Sequence, residues 1–370
     1  MDTARLQTRT LRDLELSAES AGLEDPYGIY EPPSRKRAAL KANPAATGTD
    51  VACQTLGLVG NKVVGQHTIF PVRLRAFGAE YEAWTGSGLY LHDDYRKTGL
   101  GIQLIEGENR DGNTIHLGCG LSRLSVPLHL LLDYACFPMK RMLWLAKSGP
   151  VVCKFLRNRF VAAVAAFLCD LLLQLPNTLL RLLVSIQSRH LRIERLDRAT
   201  AAVAEMAAAD TRPCACVHSE AWFNWILNHT FADDPRSRQR LFLVRDRRDR
   251  PLGFFLYKIR FHATASHRGF KDLLLGSLLE WQSVDEHRLS HGHLARLAAR
   301  ELLREGVDAI EVCTDEKPLL KSLHRWGFRP LGDFWFVVRA RENHPLHDNA
   351  QFLEQEYWRL RPVEGDTGLS

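Results

Sequence analysis

The sequence predicts an α+β protein made of two copies of one fold. Each copy is a mixed, mostly antiparallel central sheet flanked by helices, and an apolar helical connector joins them. Three observations carry this. The 370 residues are 45% hydrophobic and 25% charged, an ordinary globular composition whose length suits two domains, or three. Strand-like and helical runs alternate on both sides of residues 149–188. The element order of residues 51–148 also recurs over 189–342 with little residue identity.

Residues 1–50 are polar, and EPPSRKRAALKANPAA reads as a loop followed by a short helix; no chemistry is assigned there. From Val51 the chain turns strand-like: VACQTLGLV, a turn at Gly60 and Asn61, KVVGQHTIFPVRLRAFG, then YEAWTGSGLYLH, an antiparallel meander. YRKTGLGIQLIEGENR starts with a glycine-bearing turn and continues as an apolar helix. NTIHLGCG is a strand, LSRLSVPLHLLLDYACF a helix broken at Pro127, and FPMKRMLWL a closing strand.

The connector, 149–188, contains FVAAVAAFLCDLLLQL, apolar except for Asp170 and Gln174 and ended by Pro176. A membrane span needs about 20 apolar residues, and an acid near the centre costs about 2.5 to 3.5 kcal/mol. A buried helical hairpin between two domains is therefore expected, with Asn177 or Thr178 capping its second helix. Peripheral membrane contact through 160–186 is the competing reading.

After the connector, HLRIERLD is a strand, ATAAVAEMAAAD and EAWFNWILNHTF are helices, and RQRLFLVRDRRDRPLGFFLYKIRFHA is a hairpin. FKDLLLGSLLEW is a strand, HLARLAARELLREG an amphipathic helix and DAIEVCTD a strand; KPLLKSLHRWGF and FWFVVRA close the set with a helix and a strand. Residues 343–370 read as a polar tail.

Forty-nine basic against 43 acidic residues give a net charge of +6, too small an excess to mark a nucleic-acid binder. Eight irregularly spaced cysteines fit a reducing compartment with free thiols, and the N-terminus lacks the apolar stretch of a secretory signal, so a cytoplasmic protein is expected.

Chemistry concentrates in LYLHDDYRKTGLG, Leu89 to Gly101. A strand ends near His92, and Arg96, Gly99 and Gly101 precede the next helix. Such a turn is an anion cradle: amides at a helix N-terminus converge, the helix dipole adds about half a positive charge, and glycines allow close approach. Arg96 and Lys97 supply mobile charge.

Here the sequence resembles the GNAT superfamily of N-acyltransferases. Their signature, Arg or Gln, two residues, Gly, one residue, Gly or Ala, stands as RKTGLG between a central strand and a helix. SLHRWGFRPLGDFWFVV is similar to the family's late helix, turn and final strand. The resemblance covers about 50–146 well and 190–340 more loosely. It implies acyl-CoA as co-substrate, acetyl-CoA first among the candidates, with no metal. Arg96, Lys97, Thr98, Gly99, Leu100 and Gly101 would hold the pyrophosphate, and Leu89, Tyr90 and Leu91 would pair with the pantetheine arm. It also implies direct attack of a small-molecule amine on the thioester, with a main-chain amide of the splayed strand polarising the carbonyl.

The proton acceptor is open; Glu82 is the candidate, with Glu80 or a water chain as alternatives and His92 and Asp93 nearer the loop. Tyr134 lies near the position of the family's late-helix tyrosine, a general acid, but out of register. The second half carries QSVDEHRLSHGH in place of RxxGxG, with one glycine, Gly292, so that copy is expected to be degenerate.

Other signals reduce to structure. Cys214, Cys216 and His218 of CACVH lack the ligands to complete a zinc site, and SHGH reads as a helix cap by Ser290. VRDRRDRP is a hairpin tip rather than a nucleic-acid face. The competing functional readings are an aminoacyl-tRNA-dependent transferase of the tandem-GNAT type, marked by salt-sensitive tRNA binding, and a non-catalytic binding module.

Overall fold

The structure, a computed structural model, describes residues 4–107, 114–121, 124–156, 158–232, 234–263 and 272–364. The end of the expected helix at Glu108 to Arg110, the first two residues of FKDLLLGSLLEW and the last six of the tail lie outside the described residues. The first half of the chain forms β1 (Ala4–Thr10), α1 (Ser34–Lys41), β2 (Ala52–Val59), β3 (Lys62–Ala76), β4 (Ala79–Leu91), α2 (Leu100–Gly107), β5 (Ile115–Leu121), α3 (Val126–Leu131), β6 (Ala135–Leu145), α4 (Gly149–Phe155) and α5 (Arg159–Gln187). There follow β7 (Arg192–Leu196), α6 (Ala201–Ala208), β8 (Cys214–Cys216), α7 (Glu220–Asn228), β9 (Arg238–Arg245), β10 (Pro251–His262), β11 (Leu273–Ser283), α8 (His291–Arg304), β12 (Ala309–Thr314), α9 (Lys317–Arg325) and β13 (Arg329–Ala340).

These elements make two compact units that do not follow the expected boundaries of 51–148 and 189–342. The first comprises 1–138, 211–231 and 334–370; the second comprises 139–210 and 232–333. Strand pairing is the physical reason. β13, from the end of the chain, lies antiparallel to β5 with Val337 opposite Gly118. β6, from the first half, lies antiparallel to β12 with Met142 opposite Val312. Sequence periodicity reveals a strand but not its neighbour.

The first unit's sheet runs β1-β2-β3-β4-β5-β13, with β8 also paired to β3. Among the described strands of this sheet, β4 and β5 alone are parallel neighbours. Helix α2 lies flush on β1 to β4 because glycines make room. A Cβ on Gly65 would meet Leu91 Cδ1 at 2.8 Å and Leu104 Cδ1 at 2.9 Å, and one on Gly57 would meet Leu100 Cδ2 at 3.1 Å. The tail is not a loose polar extension: Trp358, Leu360 and Arg361 are almost fully buried, and the Arg359 amide donates to Cys214 O at 2.8 Å.

The second unit's sheet runs β6-β12-β11-β10-β9-β7, again with one parallel pair, β11 with β12. Leu294, Leu297, Ala298 and Leu302 of α8 recur at helical spacing and join the core with Phe255, Trp281 and Ile310.

The connector departs from the expected hairpin. α5 is one helix with Pro176 inside it. Asn177 does not cap a second helix; its side chain accepts from Trp144 Nε1 at 2.8 Å and donates to Ala146 O at 2.9 Å. Those tertiary bonds hold the turn that a proline would otherwise loosen. Nor is the helix buried, since of its 29 residues only Ala162, Leu180 and Val184 are.

Candidate functional site

β4 and β5 run in parallel register from Ala83 opposite Ile115 to Gly86 opposite Gly118. Beyond Gly86, β4 continues through Ser87 to Leu91 without β5 as a partner. At that point β4 also slips against β3: Thr68 opposes Ser87 and Gln66 opposes Tyr90, so two residues of β4 face one of β3. Gly88 turns this bulge at φ +62°, where a side chain would be strained. β4 from Ser87 to Leu91 thus stands outside its ladder with β5, a wedge in the sheet pairing.

The Arg96–Gly101 loop follows directly. Thr98 N and Thr98 Oγ1 both donate to Tyr95 O, at 3.1 and 2.7 Å, and Thr98 Oγ1 accepts from Leu100 N at 3.4 Å. Gly99 sits at φ +79° in open space. Arg96 is tied back to the strand end, its Nη2 2.7 Å from Asp93 Oδ1 and its Nε 3.5 Å from Leu91 O. At the start of α2, Gly99 O accepts from Ile102 N and Gln103 N. Leu100 N is taken by Thr98 Oγ1, and the other amides ahead of Ile102 belong to a helix start, where amides lack intrahelical acceptors, the arrangement that suits a polyanion. Beside the loop, Tyr27 stacks on the His92 ring at 3.9 Å and Tyr95 meets it edge-on.

The sheet face away from α2 is polar at the wedge. Thr68 Oγ1, Thr85 Oγ1 and Ser87 Oγ are buried and make no hydrogen bond among the described residues. Strand alternation puts Thr85 and Ser87 on the same face as Cys119, the first β5 residue past the register. Cys119 Sγ donates to Arg361 O at 3.7 Å. On the same side His218 Nε2 lies 3.3 Å from Glu364 Oε1, both buried, and His218 stacks on Trp222 at 3.8 Å. Burial, then the nearby Glu364 carboxylate, push the Cys216 thiol well above its ordinary range, so it is inert as a nucleophile.

The second unit repeats the frame without the cradle. β11 leaves β12 after Leu278 opposite Val312, and β11 slips against β10 at the same place. Where the anion would sit, Ser290 caps α8 by accepting from His293 N at 3.2 Å, and His291 Nδ1 lies 2.6 Å from Glu316 Oε2 with Glu286 on its other nitrogen. Two carboxylates at this helix start oppose a phosphate.

Of the residues read from the sequence, Leu89, Tyr90, Leu91 and Arg96 to Gly101 are brought together at the wedge. Leu89 also packs against the cluster of Ile105 and Tyr134, so Tyr134 lies on the α2 side. Glu82 is exposed on β4 just before its pairing with β5 begins, opposite Arg73 of β3, about 16 Å along the strand from Ser87. Glu80 is likewise exposed, opposite Arg75. The Glu364 and His218 pair was not read from the sequence; no motif marks it, because 146 residues separate its members.

No protein-family model matches the sequence, and no curated protein sequence does. Solved structures do match the fold. Saccharomyces cerevisiae N-myristoyltransferase with bound myristoyl-CoA is similar over 81% of this chain and 68% of its own, at 14% identity and a TM-score of 0.52. A GCN5-related N-acetyltransferase from Anabaena variabilis is similar over 91% of this chain and 72% of its own, at 12% identity and a TM-score of 0.52. With the parallel pair that splays, the bulge in its first strand and the glycine loop behind it, the chain has the fold of the GNAT-type N-acyltransferases.

Proposed function

We propose that the first unit is an acyl-CoA-dependent N-acyltransferase, with acetyl-CoA the first donor to test and a small-molecule amine as acceptor. The wedge between β4 and β5, opening onto the Gly99 loop, is the observation that carries this reading. The pyrophosphate would lie against the amides of Gly99 to Gly101 with Arg96 and Lys97 beside it. The pantetheine arm would extend β4 at Leu89 to Leu91, taking up main-chain groups that β5 leaves unpaired. The thioester carbonyl would then meet a main-chain amide of the Gly88 bulge, and the amine would approach from the face of Thr85, Ser87 and Cys119.

Attack forms the amide C–N bond, the C–S bond breaks, and the thiolate of coenzyme A leaves, to be protonated. The amine's proton goes to Glu364, the acceptor we favour over Glu82, and from that carboxylate to solvent. Glu364 is a buried carboxylate on the wedge side, whereas Glu82 is exposed and far along the strand. The second unit keeps the frame but not the cradle, which supports a non-binding role for it.

Calorimetry with coenzyme A, on the wild type and on Gly99→Glu, tests the site. Binding to the wild type that the substitution abolishes is expected; equal binding by both would overturn it. Mass spectra after incubation with acetyl-CoA or myristoyl-CoA and a panel of amines test the reaction.

A further inference from the structure

Helix α5 turns its apolar side outward. Twelve of its large apolar side chains are exposed, among them Phe160, Phe167, Leu171, Leu172, Leu175 and Leu182, and Phe160 and Leu172 are 77% exposed. At about 100° per residue these twelve fall within an arc of about 160°, along a helix about 40 Å long. The opposite side holds the unit. Leu180 and Val184 enter the core, Asp170 Oδ1 accepts from Ser148 N at 2.6 Å and Ser148 Oγ at 2.7 Å, and Arg181 donates to Leu303 O. A surface helix ordinarily shows water the reverse pattern.

Phe155 of α4, the helix before α5, is also exposed, at 73%. The stripe meets a groove of about 550 Å³ lined by Leu173, Leu179, Leu183 and Trp326, with Arg325 and Arg329 among its lining. The charged residues that line the groove, Arg325 and Arg329, are both basic. Asp170, turned inward, is the sole acid between residues 149 and 191, whereas Arg159, Arg189, Arg325 and Arg329 are exposed.

A second copy of this chain would set arginines against arginines. A membrane-spanning helix would have to be free all round, yet α5 is fixed along one side by Ser148, Ala146 and the core. A lipid surface with anionic headgroups suits both the wide apolar stripe and its basic border.

We infer that α5, with the adjoining groove, docks the protein in the plane of an anionic bilayer, the stripe sinking into the acyl boundary while Arg325 and Arg329 meet headgroup phosphates. This stands apart from the acyl-transfer reading and survives its failure.

The test is flotation of the full chain with preformed vesicles of phosphatidylcholine, with and without phosphatidylglycerol. The wild type is expected to float with the anionic vesicles. Leu172→Glu/Leu175→Glu should remain at the bottom of the gradient with an unchanged Tm, since both side chains already face solvent. Arg325→Ala/Arg329→Ala should lower partitioning to anionic vesicles about tenfold or more without changing that to neutral ones. A wild type that ignores anionic vesicles overturns the inference. So does a stable dimer, seen by sedimentation velocity, that Leu172→Glu/Leu175→Glu dissolves while no form floats. Equal flotation of the arginine variant overturns the headgroup contact.

Discussion

Gly99 and Gly101 stand two residues apart in the same loop, and the structure separates their roles. Gly99 has φ +79°, and a Cβ added there would find no atom within 4 Å, so its constraint is conformational rather than steric. Gly101 has ordinary φ, and its added Cβ would rest 3.7 Å from Leu91 Cδ2, an ordinary contact. Gly99→Ala therefore places an L residue in the left-handed region at about 1–2 kcal/mol, while Gly101→Ala costs little. In a folding unit the size of the first one, the first change lowers Tm by roughly 2 to 4 °C per kcal/mol, and the second leaves it unchanged. If the loop relieves the strain by rotating at Gly99, its amides no longer converge. Loss of one charged hydrogen bond, about 1.5–3 kcal/mol, weakens coenzyme A binding about tenfold or more. Calorimetric titration with coenzyme A and thermal melts of both variants measure these effects together. Wild-type affinity and Tm for Gly99→Ala would refute the idea that this backbone conformation builds the cradle.

Glu364→Gln should lower kcat with KM for the acyl donor little changed; a change in Tm alone would reduce Glu364 to a structural role. Thr85→Val replaces a buried hydroxyl that makes no hydrogen bond among the described residues, so melts should show the free protein unchanged or stabilised by up to about 1 kcal/mol, where an ordinary buried Thr would lose stability. Burial, reinforced by Arg296 and His190, pushes His293 down to about 4. The unfolded chain takes up that proton near pH 6.5, so stability falls as pH drops from 6.5 towards 4. The loss, about 1–2 kcal/mol after solvent screening, should shrink in denaturant titrations of His293→Gln.

The sequence showed what is local. The meander of β2 to β4, the Gly99 turn, the Ser290 cap and the apolar face of α8 all follow from spacing and turn chemistry within a few residues. The Arg96–Gly101 loop was legible because its glycine stands at a helix start. Pairing at a distance is not local. FPMKRMLWL reads as a strand, but nothing in it says that its partner is DAIEVCTD. Pro176 misled because a proline's cost is set by what else holds the turn, here Trp144 and Ala146. Asp170 argued for burial of the connector, whereas one acid hydrogen-bonded to Ser148 leaves the far side free to be apolar. Glu364 escaped notice because a carboxylate in a polar tail resembles any solvated acid until Trp358 and Arg361 are seen to bury it.

The exchange of β6 and β13 also governs how the molecule comes into being. Emerging from the ribosome, the first 138 residues can form β1 to β5 but leave the β13 side of β5 unpaired until Phe334 to Ala340 is synthesised. The Cys119 to Arg361 bond closes a loop of 242 residues. Such long-range closure is slow and exposes an edge strand meanwhile. Expression of residues 51–148 alone is therefore expected to yield an aggregating fragment rather than a domain.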